Sequence, residues 1–188
     1  AFLLQALADN VAELASLRRL LRSRAAADWP HLNWLVEPAV VDGYHWARLV
    51  CVDNLAHAGT SAHRLGACAR ALGLDDLLEV VEADALAHAD ELAEADGGGD
   101  GEIDLLWVDF GDGDQLDAFF TKYWPLVNCR GGLIVVHSTL TNAAAREWLA
   151  RMKARARAGD DAELGLFDVL SLLEPHKMRQ NSCTLIQR

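Results

Sequence analysis

The sequence predicts an α/β fold, a doubly wound and mainly parallel sheet with helices on both faces, preceded by an N-terminal helix. Three observations carry this. Short apolar runs of about four to six residues alternate with helical stretches of about 10 to 18, the pattern of βαβ units. The runs are almost uninterrupted in aliphatic residues, as strands covered on both faces are. The 188 residues, 52% hydrophobic and 24% charged, suffice for one core and hardly for two.

Each element has a local reason. Phe2, Leu3, Leu7, Val11, Leu14, Leu17 and Leu21 recur at spacings of three and four, which predicts a helix over residues 2–24 with one buried stripe. Arg18, Arg19, Arg22 and Arg24 crowd its last turns, where cations complement the helix dipole. Asp28-Trp29-Pro30 then breaks the pattern, so residues 1–33 form an N-terminal helical segment and residues 34–188 the main domain.

The run 49–52 ends in Asp53, and a helix over 60–72 is stopped by Gly73. A second run, 77–81, is followed by Asp84 and a helix over 86–95, closed by three glycines at 97–99. The run 103–108 ends in Asp109, residues 116–127 read as helix, and Gly131-Gly132 introduces 133–136, which ends in His137. A long helix over 141–158 precedes two last apolar runs, 164–173 and 183–186. Trp46, Trp107, Trp124 and Trp148 are expected mainly in the core.

Composition narrows the function. With 17 Lys and Arg against 28 Asp and Glu, the net charge is −11, and such a surface repels phosphate backbones. Nucleic acid is therefore not an expected partner. No apolar run approaches the roughly 20 residues of a membrane-crossing helix, and residues 1–8 lack the basic lead of a signal peptide. Cys51, Cys68, Cys129 and Cys183 form no CxxC pair, which fits buried, reduced thiols in an intracellular, cytoplasmic protein. A homo-oligomer is compatible with all of this.

Ligands of open α/β sheets bind outside the carboxyl ends of the strands. Asp53, Asp84 and Asp109 follow three successive strands, and His137 follows the next, so these residues are expected to line one crevice. A carboxylate after the second strand suits ribose hydroxyls, because it accepts two hydrogen bonds at once, and Asp84 could accept from an exocyclic amine. There is no GxGxxG and no GxxxxGK[ST], and the glycines at 97–99 precede a strand, so the phosphate cradles of dinucleotide and nucleotide binding are missing. A nucleoside carrying positive charge fits an acidic crevice better than a polyphosphate. The Asp109, Asp112, Asp114 loop lacks the Glu that closes an EF-hand, since Phe120 stands there, and no metal site is expected.

Three stretches carry a resemblance. Ile103 through Asp109, Tyr123-Trp124-Pro125-Leu126, and Arg130-Gly131-Gly132 through His137 resemble the fourth strand, the following helix and the Gly-Gly entry to the fifth strand of class I S-adenosylmethionine-dependent methyltransferases. Val50 through Asp53 and Val80 through Ala85 are similar to their second and third strands. The resemblance implies a Rossmann-like domain, S-adenosylmethionine as cofactor and a small-molecule substrate, in the manner of an O-methyltransferase. It implies ribose binding by Asp53, adenine contact by Asp84 with Ala85, a place near the sulfonium for Asp109, and acid–base work for His137. Glu37, Gly43 and Tyr44 match its first motif, which holds the methionine half, with Pro38 and Ala39 where a glycine turn is usual. The stretch from Val41 to Leu49 is shorter than the roughly dozen residues of a parallel crossover, which motivates an alternative. That alternative is a catalytically inactive methyltransferase-like domain serving in binding or assembly.

Overall fold

A computed structural model describes residues 2–22, 47–95, 103–109, 113–140, 143–159, 161, 163–173 and 182–188. The chain divides into two compact units, Ala1–Asp84 and Ala85–Arg188.

In the first unit, helix α1 spans Phe2–Arg22. Its stripe starts at Leu4 and not at Phe2: Leu4 is buried, while Phe2 and Leu3 are exposed. The parallel strands β1 (Leu49–Val52) and β2 (Leu78–Val81) pair in register from Leu49 with Leu78 to Val52 with Val81. Between them, a 3₁₀ turn at Ala62–Arg64 leads into α2 (Leu65–Leu72). Gly73 closes α2 in the left-handed region, at φ 67°, and Leu74 donates back to the Ala69 carbonyl at 2.9 Å. Glycine takes that conformation without the Cβ clash that another residue would meet.

The second unit orders its strands β3 (Leu105–Val108), β4 (Leu133–His137), β6 (Ser182–Gln187), β5 (Asp168–Leu173). β3 and β4 are parallel, whereas β6 runs antiparallel to both of its neighbours. The link from Leu173 to Ser182 is too short for a parallel crossover, so the last two strands return on one another. Helices α3 (Ala85–Ala95), α4 (Leu116–Tyr123) and α5 (Ala143–Ala158) complete the unit. The helix expected over 116–127 ends at Tyr123, and Trp124–Leu126 form a 3₁₀ turn. Pro125 has no N–H with which to continue the α ladder.

The core gathers Val108, Ile134, Val136 and Ile186 from the strands against Phe119, Phe120, Trp124, Trp148, Leu149 and Met152. Phe120 stacks on Trp124 at 4.9 Å, Phe167 meets the edge of the same indole, and the Trp124 N–H donates to the Leu164 carbonyl. The Arg188 guanidinium lies over the Trp124 ring and donates to the carbonyls of Trp124 and Val127 at 2.8 and 2.7 Å. Trp107 departs from expectation: it is 54% exposed on β3. The cysteines do too, since Cys68 and Cys129 are exposed and Cys51 and Cys183 only half-buried. Among the described residues no helix is long and apolar enough to cross a membrane.

The two glycines before β4 have distinct duties. Gly131 sits at φ 116°, and a Cβ on Gly132 would meet Val127 Cγ1 at 2.6 Å and the Asn128 carbonyl oxygen at 2.7 Å. The close approach lets Gly132 N–H donate to Asn128 O at 2.8 Å and its carbonyl accept from Arg188 N–H at 3.0 Å. Beyond α5, Asp161 accepts from both nitrogens of an Arg155 fork and from the amides of Glu163 and Leu164. These donors, the Arg155 bond first, hold its carboxyl far below the usual carboxylate range.

Gly132→Ala is expected to destabilise the fold by about 1–3 kcal/mol, because backbone rather than a flexible side chain must yield. Thermal denaturation beside the wild type checks this, and an unchanged Tm contradicts it. A depressed native carboxyl contributes stability that is complete above its unfolded pKa, about 3.9, and is lost as pH falls through the native value. The Asp161 carboxyl carbon should therefore still be ionised at pH 3 by NMR, and Arg155→Met should return its titration to the ordinary range.

Candidate functional site

Parallel strands end on a shared edge, and the residues following them face the same solvent margin. In the first unit that margin carries Asp53 and Asp84. The Asp53 N–H donates to the Val81 carbonyl at 3.1 Å, extending the β1–β2 ladder by one bond. Its carboxylate then turns into the following loop: Oδ1 accepts the Leu55 N–H at 2.6 Å and Oδ2 the Thr60 hydroxyl at 3.0 Å. Leu55 is forced to φ 55° by this turn. Both oxygens are thereby fixed, and each keeps a second lone pair, since a carboxylate offers about four acceptor positions. Asp84 is exposed and stands immediately before α3, whose first residue is the half-buried Ala85. The Ala85 carbonyl accepts the Tyr123 hydroxyl at 2.9 Å.

In the second unit the register pairs Val108 with Val136, so Asp109 and His137 leave β3 and β4 side by side. Asp109 Oδ1 lies 3.1 Å from His137 Nδ1. The imidazole is largely shielded and the carboxylate open, at 13% and 63% side-chain exposure. Trp107, two residues before Asp109, stacks on the imidazole with ring centres 6.2 Å apart and planes 24° from parallel. A second partner approaches the same nitrogen, the Ser138 hydroxyl at 3.0 Å, and Ser138 itself is at φ 61°.

The expected residues thus fall in two sets, Asp53 and Asp84 on one strand edge, and Asp109 hydrogen-bonded to His137 on another. Glu37, Gly43 and Tyr44 lie outside the described residues, as does Trp46. Among the described residues no three His, Cys, Asp or Glu side chains cluster as metal ligands would.

Several participants escape a reading of the sequence. Thr60 orients Asp53 from seven residues away, and Trp107 reads as one more apolar strand residue. Ser182 and Thr184 sit fully buried on β6 and bond the turn that follows His137. A run of small polar residues in a terminal strand gives no such signal by itself. The positive φ values at Leu55 and Ser138 are equally silent in sequence. Held strain of this kind costs about 1–3 kcal/mol at each residue and clusters at functional sites.

With this geometry in view, comparisons with known proteins are informative. Residues 2–139 match the family model for a methyltransferase domain. Among solved structures, a protein from Klebsiella pneumoniae assigned as an O-methyltransferase is similar, at 16% identity and a TM-score of 0.52, over 74% of this chain and 60% of that one. An O-methyltransferase from Bacillus cereus in complex with SAH is similar at 15% identity and a TM-score of 0.51, over 76% of this chain and 63% of that one. At such identities the likeness is one of fold. The chain spans about three-fifths of the length of each of these structures. No curated protein matches it.

Burial, and after it the neighbouring Asp53 carboxylate, push the Cys51 thiol above its ordinary pKa. At mildly alkaline pH, iodoacetamide should label the exposed Cys68 and Cys129 well before Cys51, as mass spectrometry of the time course would read. Asp53→Asn removes only the second cause and should speed Cys51 labelling modestly; no change would contradict the placement of Asp53 beside it.

Proposed function

Because the chain belongs to the methyltransferase-domain family of class I S-adenosylmethionine-dependent enzymes, we propose that it transfers a methyl group to a small-molecule acceptor, in the manner of an O-methyltransferase. The observation that carries the reading is the Asp109–His137 hydrogen bond at the carboxyl ends of adjacent parallel strands. Bound S-adenosylmethionine would supply an electrophilic methyl group on a cationic sulfur. The chain's own residues then have to bind, align and exclude water, since methyl transfer is an in-line displacement.

Asp53 fits the ribose. Two of its lone pairs are used to fix the carboxylate, and the remaining two would accept from adjacent hydroxyls. Asp84 with Ala85 takes the adenine in this reading, and Glu37 with Gly43 the methionine half. In this reading Asp109 would face the sulfonium, where an exposed carboxylate favours a cation. The same residue serves His137: in the tautomer with the proton on Nδ1, Nδ1–H donates to Asp109 and Nε2 keeps its lone pair. Nε2 is then the atom that takes the proton from an acceptor hydroxyl as its oxygen attacks. Trp107 restricts the imidazole to one plane.

Calorimetry with S-adenosylhomocysteine is the direct test. Saturable binding is expected, weakened about 10–100-fold by Asp53→Ala, the worth of hydrogen bonds to a charged acceptor. His137→Ala should leave that binding near wild type and lower kcat about 10²–10⁴-fold with a hydroxyl acceptor. Absence of binding, or indifference to Asp53→Ala, would remove the proposal. Binding without turnover of any acceptor would favour the inactive binding domain instead.

A further inference from the structure

We propose that Ser182 and Thr184, buried on β6, are positioning residues that set the tautomer of His137 through the turn at residues 138–140. The inference rests on the reading of His137 as the acid–base group. Among the described residues of this unit three polar side chains are wholly buried, Thr139, Ser182 and Thr184; Thr139 lies in the turn at 138–140, and Ser182 and Thr184 each bond that turn. Thr139 and Thr184 share a hydroxyl–hydroxyl bond of 2.7 Å, and Ser171 Oγ adds a third hydroxyl 3.2 Å from Thr184. Ser182 is used twice. Its carbonyl accepts the Ser138 N–H at 2.7 Å and its hydroxyl the Leu140 N–H at 2.9 Å.

The β6 positions that turn inward are Ser182, Thr184 and Ile186, so two of three core-facing places on this strand hold hydroxyls where aliphatic side chains would pack without polar atoms. Buried hydroxyls are retained at a disadvantage unless each is bonded, and here Ser182 and Thr184 each bond the turn after β4. That turn has one strained residue, Ser138 at φ 61°, and its hydroxyl reaches the same His137 Nδ1 that faces Asp109. The two partners ask for different protons. Asp109, which only accepts, favours the proton on Nδ1, whereas a hydroxyl donating to Nδ1 favours the proton on Nε2. Only the first leaves Nε2 able to act as a base. The backbone bond from Ser138 to Ser182, with Leu140 and Thr139 anchored beyond it, fixes where the Ser138 hydroxyl stands and hence which tautomer prevails.

The test reads histidine ring nitrogens by long-range ¹H–¹⁵N NMR, with no need for turnover. Wild type, Ser182→Ala, Thr184→Val and the hydroxyl-retaining Thr184→Ser are compared, with thermal melts to confirm folding. In Thr184→Val and Ser182→Ala the balance of His137 tautomers, read from the Nδ1 and Nε2 shifts, should change as the Ser138 hydroxyl leaves its place 3.0 Å from Nδ1, and kcat should change about tenfold in the same sense as the Nδ1–H population while KM for S-adenosylmethionine stays within about threefold. Thr184→Ser should restore the wild-type spectrum. Folded Ser182→Ala and Thr184→Val with unchanged His137 shifts overturn the proposal; if one of them does not fold, the other decides. Ring shifts that respond as expected in a protein that methylates no acceptor would uphold the positioning role and refute the methyltransferase reading.

Discussion

The contact between Gly132 and the Asn128 backbone governs the second unit, because it sets where β4 begins. With Gly132 pressed against Val127 and Asn128, Leu133 is the first residue free to pair, and it pairs with Leu105. Register then runs without choice to Val108 opposite Val136, and the next two residues are Asp109 and His137. A slip of one residue would turn Ile134 and Val136 away from the core and place a different side chain opposite Asp109. The chemistry proposed at the strand ends is thus decided at the strand beginnings, a whole strand length away.

Both candidate sets of residues share a style of construction. After β1, Asp53 uses its carboxylate to organise the loop that follows it, and Leu55 takes a left-handed conformation as a result. After β4, His137 is followed at once by Ser138, also left-handed, whose amide is captured by β6. Local strain of about 1–3 kcal/mol at each place is offset by bonds made elsewhere, which include buried hydroxyls whose loss would leave a partner unsatisfied at about 1–3 kcal/mol. An ordinary loop acid or a solvated histidine would require neither.

How much of this was legible in the sequence follows from which forces are local. The strand ends at Asp53, Asp109 and His137 were readable because apolar runs stop there. Gly73 was readable as a helix stop, and the Gly131-Gly132 pair as an entry to a strand, since backbone demands select residue types directly. The antiparallel return of β6 lies in the short link between residues 173 and 182, a length that no parallel crossover spans. The burial of Trp107 was expected wrongly, because an aromatic residue in a strand reads alike whether it faces the core or an imidazole. Ser182 and Thr184 were invisible, since their meaning lies in partners some 40 residues earlier.

The order β3, β4, β6, β5 also has a consequence for how the chain matures. β5 emerges before the strand that separates it from β4, so on synthesis it waits with Val169 uncovered and its backbone unbonded. Only the arrival of β6 joins the two halves of the sheet at once, by six residue pairs on one side and five on the other. Until then the nascent unit presents an open ribbon to its surroundings, and cellular factors that shield such ribbons would have most to do in that interval.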